Sequence, residues 1–262
     1  MKKLNRFILA VEFIAALGIF TPALTQVNTE NLRKNDLSHG FHTAIQFDVS
    51  AVSGNSEFSK LTGSARTDWI SKRMYLFGVV KYQRGIQANK VFLNKGFIHI
   101  RSIHRVTRFL YIEEFIQKEF NDFILLIGRN LAGTGLRTAL IRSEDALKKS
   151  GLMQLYLGNG FMWENEKINS RPIMSTDVFR STNYLSFCLN LDPRVALRLV
   201  GYYQVRMINF NDYRILLESG LVFNLTKSLT FQTAIDLRYD NEPPKHIKRH
   251  DLELTNGIRI TF

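Results

Sequence analysis

Cysteine is nearly absent: Cys188 is the only one in the chain. A single thiol excludes an intrachain disulfide framework and a four-cysteine metal site. Proline is scarce too, at 5 of 262 residues, too few for a long linker, and no shift in composition divides the chain. Past the N-terminal stretch no segment approaches the roughly 20 apolar residues that a membrane-spanning helix needs. Lys and Arg outnumber Asp and Glu by 35 to 23, a formal net charge of +12, yet no basic run or arginine-rich helix gathers them. Scattered basic residues do not build a nucleic-acid surface, and they leave lipopolysaccharide phosphate or an anionic solute as the expected acidic partner. The 6 histidines show no His-Glu-x-x-His spacing, so no metal site is expected. Gly133-x-Gly135 and Gly158-x-Gly160 lack the third glycine and following helix of a dinucleotide loop, so no cofactor is expected either. His99 and Ser102 fall on opposite faces of one strand and cannot form a catalytic dyad. No better dyad stands out, and the chain is not expected to be an enzyme.

What the chain has in abundance is alternation. Val195, Leu197, Leu199, Gly201, Tyr203, Val205 and Met207 form one row, and Ala196, Arg198, Val200, Tyr202, Gln204 and Arg206 lie between them. The contrast repeats through Tyr213 to Phe223, Leu229 to Tyr239 and Leu252 to Phe262. Period two with short turns between long segments predicts an antiparallel meander. Twelve strands are expected, near 41–52, 57–69, 73–84, 91–104, 107–120, 122–140, 151–164, 177–191, 194–207, 211–224, 228–240 and 249–262. Each is long enough for the about 9–11 residues of a transmembrane strand, whereas strands of ordinary sheets average about 5–6.

The N-terminus adds an address. Lys2, Lys3 and Arg6 precede an apolar run from Phe7 to Phe20, with Glu12 inside it, and Pro22 to Thr25 end it with small residues. Residues 1–26 read as a secretory signal peptide and 27–40 as a short polar lead. An exported chain of long two-faced strands predicts an all-β fold over 41–262: an up-and-down transmembrane β-barrel in the cell outer membrane. Hydrocarbon satisfies no backbone donor or acceptor, so only a closed sheet lets strands cross it. With both termini periplasmic, the outward loops fall near Gly54–Asn55, Arg84–Lys90, Asn121–Asp122, Asn165–Thr176, Asn209–Asn211 and Asn241–Lys248. The segment Arg142–Ser150 is long for a periplasmic turn, and Ser143 with Glu144 and Asp145 suits a capped helical turn there. Trp69, Tyr75, Phe120, Trp163, Phe179, Phe210, Tyr213, Phe223 and Tyr239 lie near strand ends, as an interfacial aromatic girdle requires. The expected partners are outer-membrane lipid, lipopolysaccharide and, through the last strand ending in Phe262, the barrel-assembly machinery.

The polar rows give the candidate site, a charged lumen lining. It comprises His99, Arg101, Glu113, Gln117, Arg129 and Arg137 in the middle of the chain. Arg198, Arg206, Arg214, Glu218, Asp236, Arg238, Asp251, Glu253 and Arg259 continue it toward the C-terminus. If Asn121 is a hairpin tip, Glu113 faces Arg129; the preceding hairpin then sets His99 against Glu113. The expected row is His99–Glu113–Arg129 across three strands, opposite charges attracting across the ladder.

The middle of the chain carries distinctive wording: His99–Ile100–Arg101, then Glu113 to Asn121, then Ile127-Gly-Arg-Asn-Leu-Ala-Gly-Thr-Gly-Leu-Arg137, then Tyr156 to Glu166. This order resembles the domain-of-unknown-function 481 family, the salt-induced outer membrane proteins. The resemblance implies an outer-membrane β-barrel and no activity. Three readings of function follow: a structural or narrow solute- or ion-passing barrel, a lipid-modifying barrel enzyme, or a soluble periplasmic ligand-binding β protein.

Overall fold

The structure, a computed structural model, describes residues 38–53, 58–142, 152–192, 194–226 and 229–260. The expected signal peptide, nearly all of the polar lead, the Gly54–Asn55 turn, the capped turn at Ser143 and the terminal Phe262 lie outside the described residues. Twelve strands form one antiparallel sheet in chain order, each paired with its neighbours in sequence. They are β1 Gly40–Val52, β2 Phe58–Ile70, β3 Met74–Gln87, β4 Lys90–Arg105, β5 Leu110–Asn121 and β6 Leu126–Arg142. The second half holds β7 Leu152–Ile168, β8 Met174–Asp192, β9 Val195–Arg206, β10 Asn209–Asn224, β11 Leu229–Asp240 and β12 His250–Ile260. β1 and β12 are the two ends of the order.

Local chemistry sets the turns. Ser71 Oγ accepts from Met74 N at 3.1 Å, Thr107 Oγ1 from Leu110 N at 3.0 Å, and Thr226 Oγ1 from Leu229 N at 2.9 Å. Such hydroxyls stand in for a backbone acceptor and fix tight reversals. Ala88 and Asn89 both have positive φ, as a two-residue primed hairpin turn requires. That turn lets β3 and β4 run on through most of the loop expected at Arg84–Lys90. The expected Asn165–Thr176 loop likewise shrinks to residues 169–173.

The sheet is strongly curled. Tyr184 Oη on β8 donates to Glu113 Oε2 on β5 at 2.7 Å, and Arg214 Nη1 on β10 donates to Glu164 Oε2 on β7 at 2.7 Å. Strands three apart in the order meet through side chains only if the sheet bends back on itself. Bulges at Glu119/Asn121, Leu126/Gly128 and Ala139/Ile141 add local bend. So does the ladder pair Gly135–Gly160, where a Cβ on Gly135 would lie 2.7 Å from the Asn159 carbonyl oxygen. There two backbones approach more closely than any side chain permits.

The two faces divide by chemistry. The concave face holds buried Asp68, His99, Arg101, Glu113, Arg137, Glu164 and Arg180. It also holds two apolar clusters, Tyr75–Phe77–Val79–Ile103–Tyr111–Ala139 and Tyr184–Val200–Tyr202–Leu216. The convex face exposes Ile98, Ile100, Ile112, Ile116, Leu136, Leu185, Leu217, Ile235, Leu252 and Leu254. Aromatic contacts flank these aliphatics: Phe41–Trp69 and Phe223–Phe231 toward one rim, Tyr203–Tyr213–Tyr239 toward the other. Tyr75 departs from the expected girdle. It is buried on the concave face, and its hydroxyl donates to Asp68 at 2.7 Å.

Candidate functional site

The concave face of β5 to β10 carries a continuous chain of ion pairs. Arg129 Nη1 donates to Glu119 Oε1 at 2.7 Å and Arg129 Nε to Glu166 Oε2 at 2.6 Å. Arg214 Nη2 reaches the same Glu166 oxygen at 3.3 Å, Nη1 reaches Glu164 at 2.7 Å, and Nε reaches Asp240 Oδ2 at 2.9 Å. Glu164 Oε1 accepts from Arg180 Nε at 2.9 Å, and Arg180 Nη1 donates to Asp212 Oδ1 at 2.7 Å. All of these side chains are buried except that of Asp240, which is partly so. Three guanidiniums are thus shared among five carboxylates, the condition under which buried charge is tolerated.

Two neutral links extend the chain. The Gln117 amide donates to Glu119 Oε2 at 3.0 Å, and its oxygen lies 3.0 Å from Nδ1 of His99, which is 0 % exposed. An amide oxygen can only accept, so Nδ1 carries the proton. Deeper in, Glu113 accepts from Tyr184 and stands 3.6 Å from Arg101 and 3.9 Å from Arg137. The Arg137 guanidinium lies 3.8 Å over the Tyr156 ring, a cation–π contact in a dry setting. A separate trio sits on β2 and β3. Arg66 clasps Asp68 through two bonds of 2.6 and 2.7 Å, and Tyr75 bridges them.

The expected row His99–Glu113–Arg129 does not form. His99 faces Gln117, Glu113 faces Gly135, and Arg129 faces Glu119 and Glu166. Two hairpins are the cause: the β4–β5 reversal at Val106–Leu110 shifts His99 off Glu113, and the hairpin after β5 shifts Glu113 off Arg129. Asp122–Ile124 form one turn of 3-10 helix, capped by the Asn121 side chain and closed by Leu125 at positive φ, so the reversal centres beyond Asn121. Of the other candidate residues, Arg214, Glu218 and Arg238 are buried, while Arg206, Asp236, Asp251 and Glu253 are half-buried. Arg198 is exposed near the start of β9, and the side chain of Arg259 lies outside the described residues. Asp251 pairs across the ladder with Arg238, and Glu253 with Asp236.

Sequence reasoning missed Glu164, Glu166, Arg180, Asp212 and Asp240 as site residues. A signal was present: Met162, Glu164, Glu166 and Ile168 alternate on β7, as do Val178, Arg180 and Tyr184 on β8. His99 and Ser102 do lie on opposite faces. Ser102 instead donates to Glu114 Oε2 at 2.9 Å on the convex face, with His104 Nε2 3.8 Å from that oxygen. The serine proton is therefore aimed at a carboxylate and not at an imidazole. Among the described residues no group of three His, Cys, Asp or Glu could hold a metal ion.

A family model described as a protein of unknown function, DUF481, matches residues 45–262, which include the whole ion-paired face. The chain belongs to the DUF481 family. No curated protein matches it. Family membership attaches no reaction to the arginine–carboxylate chain, whose chemistry is read from its geometry alone. Every charge in it is met by an opposite one, so the arrangement cross-braces the curled sheet.

Proposed function

We propose that this DUF481 chain is a bacterial outer-membrane β-barrel, closed by pairing of β1 with β12, whose role is structural, with no more than a narrow charged passage along its less filled side. The observation that carries this reading is the reversal of polarity between the faces. Large apolar side chains crowd the convex face, and arginines and carboxylates fill the concave one. In water each exposed Ile or Leu forgoes roughly 1.5–3 kcal/mol of burial; in lipid it does not. The strands, 11 to 19 residues long, meet or exceed the about 9–11 needed for a tilted crossing. The flanking aromatic contacts suit the two membrane–water interfaces. On this reading the partners are outer-membrane lipid and lipopolysaccharide, with the assembly machinery engaging β12. Barrels of about eight strands are filled by side chains and those of about sixteen hold a channel. The braced face from β5 to β10 brings this barrel of twelve strands toward the filled kind.

Fractionation of membranes is the test. The protein should stay with the outer membrane after salt washing, require detergent for release, and migrate differently on gels before and after boiling. Recovery of native protein in the salt-washed soluble extract overturns the reading. In planar bilayers the purified protein should conduct far less than an open porin.

A further inference from the structure

The two rims of the sheet differ in charge. One rim is formed by the β2–β3, β4–β5, β6–β7, β8–β9 and β10–β11 connections. Its described turn residues, with the two strand residues on either side, carry six Lys or Arg against one acid, Asp192. The opposite rim, counted the same way, carries seven against four. The remaining residues of the first set of turns add Lys148, Lys149 and Lys227 against Glu144 and Asp145, so the excess stands.

Five of the six bases lie on three neighbouring connections. Lys72 and Arg73 share the Ser71 turn, Arg105 N donates to Arg73 O at 2.7 Å, and Arg142 Nη1 donates to Arg108 O at 3.4 Å. All five are exposed, and none pairs with a carboxylate among the described residues. The acids further along these strands are engaged elsewhere. Glu114 accepts from Ser102 at 2.9 Å and stands 3.8 Å from His104, and Asp68 is clasped by Arg66. Apolar side chains stand between the bases: in the β4–β5 turn Val106 is 54 % exposed and Phe109 45 %. The Arg108 guanidinium lies 4.5 Å over the Phe109 ring. Water favours neither bare apolar tips nor like charges held side by side. A bilayer interface favours both, because apolar groups enter the acyl boundary while basic heads stay level with the lipid phosphates.

We infer that this rim is a docking surface for anionic phospholipid headgroups, centred on Lys72, Arg73, Arg105 and Arg108, with Val106 and Phe109 set into the acyl boundary. The inference rests on the membrane placement proposed above and deepens it by giving the two leaflets different partners. With both termini periplasmic, the basic rim meets the phospholipid of the periplasmic leaflet.

The chain's 2 tryptophans make the test local. Trp69 stands one residue before the end of β2, beside the basic rim, and Trp163 lies on the half of β7 nearer the opposite one. The full-length protein, carrying Trp163→Phe or Trp69→Phe to leave one tryptophan, is reconstituted in phosphatidylcholine vesicles doped with phosphatidylglycerol. Bromine on the acyl chains of one lipid or the other quenches a tryptophan that those chains touch. At low salt Trp69 should favour phosphatidylglycerol over phosphatidylcholine about three- to tenfold, and Trp163 should respond to the two about equally. The preference at Trp69 should vanish in about 0.5 M salt and in Lys72→Gln/Arg73→Gln/Arg105→Gln, whose three side chains are all exposed. Quenching by brominated phosphatidylcholine should persist in both cases. Equal quenching of Trp69 by the two lipids overturns the inference, leaves the barrel reading standing and hands the rim to an acidic protein or glycan. A preference that survives salt, or one as strong at Trp163, overturns it as well, and the salt arm decides if the triple variant fails to fold. Trp69 untouched by either lipid removes the membrane placement and this inference together.

Discussion

β1 and β7 are both long strands with a polar concave row, and they could hardly be more different in what surrounds that row. On β7, Met162, Glu164, Glu166 and Ile168 are all buried, and the two glutamates hold three arginines from three other strands. On β1, Ala44, Gln46, Asp48 and Ser50 are all exposed, and the polar contact there is local, from Gln46 to Asp48 at 2.9 Å. The convex side of β1 is just as open, with Phe41 76 % exposed. The same alternation therefore yields a brace on one side of the sheet and a bare ribbon on the other. What differs is whether the facing strand is close enough to supply an opposite charge. The difference locates the stability of the fold on β5 to β10 and leaves β1 and β12 as the elements whose order depends on the pairing proposed between them.

The sharpest way to break that contrast is to remove the central carboxylate. Glu164→Ala strands Arg180 and Arg214 without their shared partner in a buried setting. Removing one member of a buried pair costs about 3–5 kcal/mol. Denaturant unfolding should show a large fall in midpoint, and Glu164→Gln a smaller one. A midpoint within experimental error of the parent would mean that the chain of ion pairs braces nothing.

Glycines give the second comparison. A Cβ on Gly158 would fall inside the Tyr184 ring, whereas one on Gly220 would meet nothing within 4 Å. Gly158→Ala must displace the hydroxyl that ties β8 to Glu113, at a cost of about 1–3 kcal/mol. Gly220→Ala should be neutral or stabilising by up to about 1 kcal/mol, because alanine loses less chain freedom on folding than glycine does. Thermal unfolding of the two variants side by side reads the difference directly, and equal shifts would show that Tyr184 is not held.

Much of this architecture was legible in the residues and part of it was not. Alternation alone located every strand to within a few positions: 228–240 was expected where β11 runs Leu229–Asp240. It also fixed the face, since His99, Arg101, Glu113, Gln117, Arg129 and Arg137 are all buried on the concave side. Register failed because the hairpin tip was placed at Asn121, when a capped 3-10 turn carries the reversal further. Glu113 consequently faces Gly135, six residues on from Arg129; the separate β4–β5 hairpin turns two residues later than expected, so His99 faces Gln117, four on from Glu113. Both slips are even, so every side chain kept its face. The contacts that span the interior, Glu164 with Arg214 and Glu113 with Tyr184, depend on the curl of the whole sheet. No rule for neighbouring strands reaches them.

An intermediate effect is expected at the edge of the brace. Gln117 is the only described link between His99 and the glutamate that holds Arg129. Gln117→Leu keeps the volume and removes both bonds, leaving buried donors and acceptors unmet at about 1–3 kcal/mol. The same change weakens Glu119 as a partner of Arg129, so combining it with Glu164→Ala should cost measurably less or more than the sum of the two. Strict additivity in unfolding experiments would place His99 and Gln117 outside the network.

The smallest effect belongs to β1. Asp48→Ala deletes the carboxylate that accepts from Gln46, but both side chains are exposed and water replaces the lost acceptor. Substitutions at such positions stay within about 0.5 kcal/mol. The midpoint of denaturant unfolding should therefore match the parent, and salt should change the result little, since the partner Gln46 is neutral and no ion pair is lost. A loss comparable with that of Glu164→Ala would require Asp48 to be buried in the working protein. The one way to bury it is to bring another surface against the concave side of β1. Where that surface is a segment folded over the concave face, the contrast between the two regions narrows.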